Sequence, residues 1–149
     1  GEFGRVYHTT NGGESWETQE SGVENVLFDV VALSSQEAWA CGLDSLVICT
    51  RDGGKNWQKV DIGISTLSPI YGIEFCDSVH GVICGQGVLL FTGNGGLTWQ
   101  KPEISSNIEY LWLHCLKYSD NQVWMAGENG KIFRSKDNGQ KWDEVSYAQ

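Results

Sequence analysis

Basic residues, proline and long apolar runs are scarce in this chain of 149 residues. Ten lysines and arginines stand against 19 acids, so the net charge is −9. Because an acidic surface repels phosphate backbones, we expect no nucleic-acid partner. No apolar run reaches the length of about 18 residues that a transmembrane helix needs, so no membrane span is expected. The two prolines, Pro69 and Pro102, fall between the repeats described below.

The patterns that mark metal and cofactor sites are also missing. Five cysteines are an odd number, so at least one is unpaired within the chain, and none belongs to a Cys-x-x-Cys motif. The three histidines have no metal-ligand spacing, and no glycine-rich loop opens a helix to hold a phosphate. We therefore expect neither a metal nor a cofactor. The chain has no initial methionine and no signal-peptide pattern, which leaves its compartment undetermined.

One eight-residue motif occurs four times. Its pattern is Ser/Thr-x-Asp/Asn-x-Gly-x-x-Trp, and the tryptophans follow one another at steps of 41, 42 and 43 residues. A period of this length indicates stacked supersecondary units. The four boxes consist of Thr9, Asn11, Gly13 and Trp16; Thr50, Asp52, Gly54 and Trp57; Thr92, Asn94, Gly96 and Trp99; and Ser135, Asp137, Gly139 and Trp142.

Each full repeat divides into four strand-sized runs, and no segment has a sustained helical period. Four short antiparallel strands in about 42 residues are typical of one β-propeller blade. The sequence therefore predicts an all-β, partial propeller domain over residues 1–149. Its four-stranded antiparallel blades number about three and a half, with approximate bounds 1–22 (half a blade), 23–64, 65–106 and 107–149.

The boxes are predicted to be structural turns between the third and fourth strands. The Asp or Asn side chain accepts backbone N–H groups across the turn, and the Ser or Thr hydroxyl bonds locally. Glycine adopts a conformation that a side chain forbids, and the tryptophan packs on the neighbouring sheet. Four equivalent copies favour scaffolding over catalysis, because an active site is singular.

The boxes resemble the Asp-box, or BNR repeat, of sialidases, other propeller glycosidases and sortilin-type receptors. The fuller pattern of residues 73–99 is more similar to the repeat of photosystem II stability/assembly factor-like proteins. This resemblance extends over essentially the whole chain and implies a propeller that serves as a non-enzymatic binding platform in protein assembly.

The first hypothesis for function is a non-enzymatic scaffold that binds a protein or a glycan. Asp29 and Glu74 interrupt apolar first strands, which line the channel of a propeller, and His114 lies within another such strand. Candidate aromatic contacts are Tyr71 and Trp112, with Tyr110 and Tyr118 as further candidates. The alternative is a propeller-type glycoside hydrolase, sialidase-like or other, that uses the channel-lining carboxylates.

The open ends of the arc predict self-association. Exposed sheet faces and strand edges invite pairing. Two chains of fourteen predicted strands would together supply seven blades of four, so a homodimer that completes a ring is expected. A part of a longer propeller and a four-bladed monomer with one short blade are the other possibilities.

Overall fold

The computed structural model describes residues 1–146, and its regular structure is β-strand apart from two short 3-10 turns, Glu2–Gly4 and Glu128–Gly130. The all-β prediction is confirmed. No helix among the described residues is long and apolar enough to cross a membrane. In chain order the strands are β1 Val6–His8, β2 Glu17–Gln19, β3 Leu27–Ala32, β4 Ala38–Gly42, β5 Val47–Thr50, β6 Gln58–Lys59, β7 Ile70–Phe75, β8 Gly81–Gly85, β9 Leu89–Thr92, β10 Glu103–Ile104, β11 Leu113–Ser119, β12 Gln122–Gly127, β13 Ile132–Ser135 and β14 Lys141–Glu144.

The strands form four sheets in sequence order. The first sheet is β1–β2, the second β3–β4–β5–β6 and the third β7–β8–β9, while the fourth has the order β10–β14–β13–β12–β11. The innermost strand of the third sheet, β7, lies beside β3 of the second sheet and β11 of the fourth. Successive sheets thus fan around a common axis, which is the partial β-propeller that the repeat predicts.

Two strands differ from the prediction. The expected fourth strand of the third sheet, residues 99–101, is reduced to one bridge in which Gln100 and Phe91 exchange backbone bonds of 2.9 Å. Trp99 turns into the core instead, and Pro102 follows without a backbone N–H to donate. The unpredicted strand β10 then pairs parallel to β14, so the connection between two blades closes the outer edge of the fourth sheet.

Each innermost strand contains one bulge at the same place. The register with the second strand shifts between Leu27 and Asp29 in β3, between Ile70 and Gly72 in β7, and between Leu113 and Cys115 in β11. A bulge re-aims the residue that it leaves unpaired. The residues so placed are Phe28, Tyr71 and His114.

Apolar side chains fill the space between adjacent sheets. Between the second and third sheets, the Trp99 ring meets Trp39 and Phe75 edge-on, with centroid distances of 6.3 and 6.2 Å. Between the third and fourth sheets, Val82 and Trp142 belong to one buried cluster. A smaller cluster joins the first and second sheets. Since the sheets bury their faces against one another, the arc depends on contacts between blades.

All five cysteines are free thiols. Cys41 and Cys84 are fully buried at equivalent positions of the second and third sheets. Burial raises the pKa of both thiols, and it raises the pKa of the half-buried Cys76 to about 11. A thiol held protonated is a poor nucleophile, so these three side chains pack as small apolar groups.

Candidate functional site

The four box turns have one hydrogen-bond pattern. In the second box the Thr50 hydroxyl donates to Asp52 at 2.8 Å and accepts the Gly54 N–H at 2.9 Å, while Asp52 Oδ1 accepts the Asn56 N–H at 2.9 Å. The same three bonds recur in the first, third and fourth boxes at 2.8–3.0 Å. The pattern satisfies backbone donors that a tight turn otherwise leaves free.

The glycines of the third and fourth boxes lie where a turn meets the preceding sheet. Gly96 and Gly139 have φ of +81° and +90°, a region that L side chains rarely adopt. Space is a second constraint, because a Cβ at Gly96 would collide with the Trp39 ring and one at Gly139 with Val82. Each of these turns therefore rests directly on the second strand of the blade before it.

The box tryptophans differ in burial, contrary to the expectation that all four pack on a neighbouring sheet. Trp142 and Trp99 are buried and Trp57 is partly buried, with its indole N–H donating to Gln19 Oε1 at 3.3 Å. Trp16 is 59% exposed. Trp57, Trp99 and Trp142 contact the preceding sheet, and among residues 1–146 no sheet precedes the one that carries Trp16.

Three exposed rings gather around the partly buried Tyr71 along the inner strands, and we call Phe28, Tyr71, Trp112 and His114 the inner-strand cluster. The Tyr71 ring is central, with centroids 5.4 Å from Phe28, 5.5 Å from His114 and 6.3 Å from Trp112. Phe28 and Trp112 are each 44% exposed, and His114 is exposed as well. Three of the four rings come from the bulge position, at successive steps of 43 residues.

Trp112 is fixed by its backbone just outside β11. It forms an isolated bridge with Gln86, and its carbonyl accepts the Glu128 N–H at 2.9 Å. Gln86 and Glu128 both lie in connections between second and third strands. The backbone that carries the indole is therefore fixed, and the residue is 44% exposed.

Asp29 and Glu74 join one inner strand to the next. Asp29 Oδ2 accepts the Ile73 N–H at 3.0 Å, and Glu74 Oε2 accepts the Tyr118 N–H at 3.2 Å. The second oxygen of each carboxylate accepts the N–H of the residue that follows it. Lys117 Nζ also lies 3.6 Å from Glu74 Oε2. All four carboxylate oxygens are thus used within the sheets.

The structure brings Tyr71, Trp112 and His114 into contact with one another. Asp29 and Glu74 bond instead to backbone N–H groups of the next inner strand. Within the described range, His114 has ring contacts to Tyr71 and Trp112 and no hydrogen bond to Asp29 or Glu74. His114 and the two acids therefore form no hydrogen-bonded cluster in this part of the chain.

Of the further candidates, Tyr118 donates its hydroxyl to Asn121 at 3.1 Å and Tyr110 is 79% exposed. Sequence reasoning missed Phe28. Its spacing of 43 residues from Tyr71 was the signal that identifies it.

Charges of both signs lie near the cluster, since Arg5 and the amino terminus of Gly1 line one cleft with Phe28 and Asp29. Asp29 is adjacent to Phe28 in sequence, and Glu109 is exposed in the connection that leads to Trp112. Lys117 is the cation on the same inner strand as His114, and it is paired with Glu74. No group of three or more metal-ligating side chains occurs in the part of the chain that the structure describes.

The fold and the repeated turns define a class of protein, a β-propeller assembled from box-bearing blades. Solved structures support this class. A structure described as "YCF48 bound to D1 peptide" superposes with a TM-score of 0.70 and 23% identity, covering 80% of this chain and 40% of that one. An ancestral GH74 enzyme superposes with a TM-score of 0.79 and 19% identity, covering 100% of this chain and 22% of that one. At these identities the likeness is one of fold.

The family follows from the sequence comparison. The model of the family described as photosynthesis system II assembly factor YCF48 matches residues 1–66 and 61–149, so the chain belongs to this family. The photosystem II stability/assembly factor HCF136 of Arabidopsis thaliana is 33% identical over 91 residues, which are 58% of this chain and 23% of the relative. The photosystem II assembly lipoprotein Ycf48 of Synechococcus sp. (strain CC9605) is 30% identical over 142 residues, 94% of this chain and 43% of the relative. The chain spans less than half the length of either relative.

Proposed function

We propose that this chain is a non-enzymatic propeller scaffold that binds a protein partner through the inner-strand cluster. The observation that carries the proposal is the row of contacting rings at one equivalent position of three consecutive blades, of which Phe28 and His114 are exposed and Tyr71 is partly buried. Exposed aromatic groups on a rigid frame are typical of protein contact surfaces. Family membership supports the proposal, since one member has been solved with a bound peptide of D1.

The scaffold proposal assigns the box residues a structural role. Their bonds are internal to each turn, and the same bonds occur four times. We propose likewise that the blade boundaries lie near residues 22, 64 and 106, where the connections between the sheets run. The final three residues of the predicted last blade lie outside the described residues.

A glycoside hydrolase is the less favoured function. Hydrolysis of a glycosidic bond requires two carboxyl groups that face a substrate, one as acid and one as base or nucleophile. The oxygens of Asp29 and Glu74 accept main-chain N–H groups instead. A panel of fluorogenic glycosides tests this point, and turnover that Asp29→Asn or Glu74→Gln abolishes would contradict the scaffold proposal.

Binding is tested with a phage-displayed random peptide library selected on the immobilised protein. We expect selected peptides to bind the native chain, and to bind the double variant Tyr71→Ser/Trp112→Ser at least about tenfold more weakly, as expected for loss of two aromatic anchors. Trp16→Ser is the matched control, because it removes an exposed indole in the turn between β1 and β2, outside the inner-strand cluster. Failure to select any peptide, or binding that the double variant leaves intact, would refute the assignment of the site.

We also propose self-association and glycan binding. Phe3 and Tyr7, which are 72% and 51% exposed at the start of the arc, are apolar groups that a second copy would cover in a homodimeric ring. Light scattering tests this contact, and a strictly monomeric species at high concentration would remove it. Glycans are tested on an array, where binding that persists in Tyr71→Ser/Trp112→Ser would exclude the cluster as the glycan site.

A further inference from the structure

We infer that the inner-strand cluster recognises a basic segment of its partner, with a lysine or arginine side chain placed on the faces of the Tyr71 and Trp112 rings. This inference rests on the proposed function, since it specifies the chemistry of the ligand that the same cluster takes. It starts from the shape of the cluster. The ring planes are tilted by 31–49° around Tyr71, with centroids 5.4–6.3 Å apart, so the rings meet at an angle. Phe28, Trp112 and His114 are exposed and Tyr71 is partly exposed, so the cluster is open to solvent.

An aromatic face carries negative electrostatic potential and attracts a cation within about 6 Å of the ring centroid. The chain uses this contact on its own rings elsewhere. Arg51 lies 5.6 Å from the Trp39 centroid, Arg134 lies 5.6 Å from that of Trp124, and Lys131 lies 5.9 Å from Phe133. In residues 1–146 no lysine or arginine covers a ring of the inner-strand cluster. The most exposed group of contacting rings is thus the one that lacks a cation of its own.

The charge of the molecule favours the same ligand. A net charge of −9 attracts a positive segment and repels an acidic one, and opposite potentials speed encounter and select the partner. Asp29 and Glu109 flank the cluster in sequence, and Lys117, on the same strand as His114, is paired with Glu74. Arg5 lines a cleft with Phe28 rather than with Tyr71 or Trp112. The negative charge of the chain would not attract an acidic segment or a purely apolar one.

The experiment compares short fluorescein-labelled peptides of one glycine- and serine-based sequence by fluorescence anisotropy. One carries lysines, a second carries trimethyl-lysines, a third carries the uncharged tert-butyl isostere of trimethyl-lysine, and a fourth carries glutamates. We expect both cationic peptides to bind about tenfold more tightly than the uncharged isostere, and the glutamate peptide to bind least. Trimethyl-lysine keeps the charge without N–H donors, so its binding separates ring recognition from hydrogen-bonded ion pairing.

Variants of the cluster residues test whether the lysine peptide binds at Tyr71 and Trp112. Trp112→Leu and Tyr71→Leu should each weaken the lysine peptide several-fold, whereas Trp112→Phe should retain most of the affinity because it keeps an aromatic face. Trp16→Leu is the control for loss of an exposed indole, and thermal unfolding checks that every variant is folded. Lysine-peptide binding that survives Trp112→Leu together with Tyr71→Leu would show attraction by net charge alone and would overturn the inference.

The outcomes also separate this inference from the proposed function. If the library yields peptides that need the cluster but are neutral or acidic, the protein-binding scaffold stands and the basic ligand is wrong. Equal affinity for trimethyl-lysine and its uncharged isostere would likewise exclude the basic ligand and leave the scaffold standing. If no peptide of any charge depends on the cluster, the proposed site itself falls.

Discussion

The box turns and the inner strands of this arc follow opposite rules. Every box keeps the same hydrogen bonds at nearly the same distances, whereas the bulge position of the inner strands holds Phe28, Tyr71 and His114 in turn. The boxes lie where sheets meet and are constrained by backbone groups and close contacts. The bulge side chains contact one another and solvent. A repeat protein thus holds its frame constant and varies the surface that the frame presents.

The largest expected effect is at a box tryptophan. Trp142 is 1% exposed between the third and fourth sheets, so Trp142→Ala should lower the free energy of unfolding by about 3–5 kcal/mol through lost burial and a residual cavity. Trp16→Ala, at the equivalent but exposed position, should cost below about 1 kcal/mol. Urea denaturation followed by circular dichroism gives both values, and equal losses would mean that the two boxes are equally buried in solution.

A box glycine is the next test. Gly139→Ala should destabilise by about 1–3 kcal/mol, because alanine must adopt a φ of +90° and displace Val82. Gly13→Ala is the matched control. Gly13 also has a positive φ, +94°, but a Cβ there would make only ordinary contact with the Trp16 ring. This variant should therefore lose only the stability that the unfavourable backbone conformation costs. The same denaturation assay applies, and a larger loss at Gly13 would contradict close packing as the reason for glycine in the boxes.

Acid sensitivity distinguishes an Asp box from an Asn box. Hydrogen bonds from the Asn56 side chain and backbone, and from the Thr50 hydroxyl, lower the pKa of Asp52 from 3.8 to about 2. A carboxyl whose pKa is lower in the folded state adds stability above its ordinary pKa and loses it as the pH falls toward the folded value. The urea concentration at which half of the protein is unfolded should therefore decrease as the pH is lowered from about 3.8 to about 2.

The control restores the bonding of the uncharged boxes. Asn94 donates its amide to Thr98 at 2.8 Å, and Asn11 donates to Ser15 at 2.9 Å, so Asp52→Asn/Asn56→Ser places the same pair in the second box. This double variant should make the midpoint less dependent on pH while leaving the stability at neutral pH nearly unchanged. The dependence that remains comes from other carboxyls, such as Asp77 and Glu144, whose pKa values are also lowered by hydrogen bonds. A native protein with the same acid profile as the variant would indicate that Asp52 is not held ionised.

The smallest effect is expected on the inner strands. His114 is exposed and bonds only through ring contacts with Tyr71 and Trp112, so His114→Ser should change the unfolding free energy by less than about 0.5–1 kcal/mol. Thermal and urea unfolding measure this change. A loss comparable to that of Trp142→Ala would mean that the ring contacts support the frame and would erase the contrast between the two regions.

The sequence predicts the frame well because the frame is local. A box of eight residues contains the donors, acceptors and glycine of its own turn, so its period and composition are enough to indicate blades. The fourth strand of the third sheet was predicted wrongly, because whether Gln100 continues a ladder depends on Trp99 entering the core and on Pro102. Strand β10 has two residues and no alternating pattern, and its partner β14 lies almost forty positions away.

The candidate site was predicted less well because it is assembled from separate blades. Tyr71, Trp112 and His114 were identified as candidates, yet a bulge decides that the first and last of these share a position, and bulges leave little trace in composition. Asp29 and Glu74 have a sequence setting typical of channel acids. Their carboxylates bond instead to Ile73 and Tyr118 on the next blade, which are contacts that only tertiary structure creates.

Strand β10 has a mechanical consequence for the last blade. Glu103 and Ile104 run parallel to Lys141 and Trp142. A pulling force on the carboxyl end of β14 would therefore act on all the hydrogen bonds between β10 and β14 at once, rather than break them one after another. The segment before this blade thus holds the outer strand of the fourth sheet in place. Amide hydrogens of β14 should accordingly exchange more slowly with deuterium than those around Gln100, where a single bridge holds the corresponding rim of the third sheet.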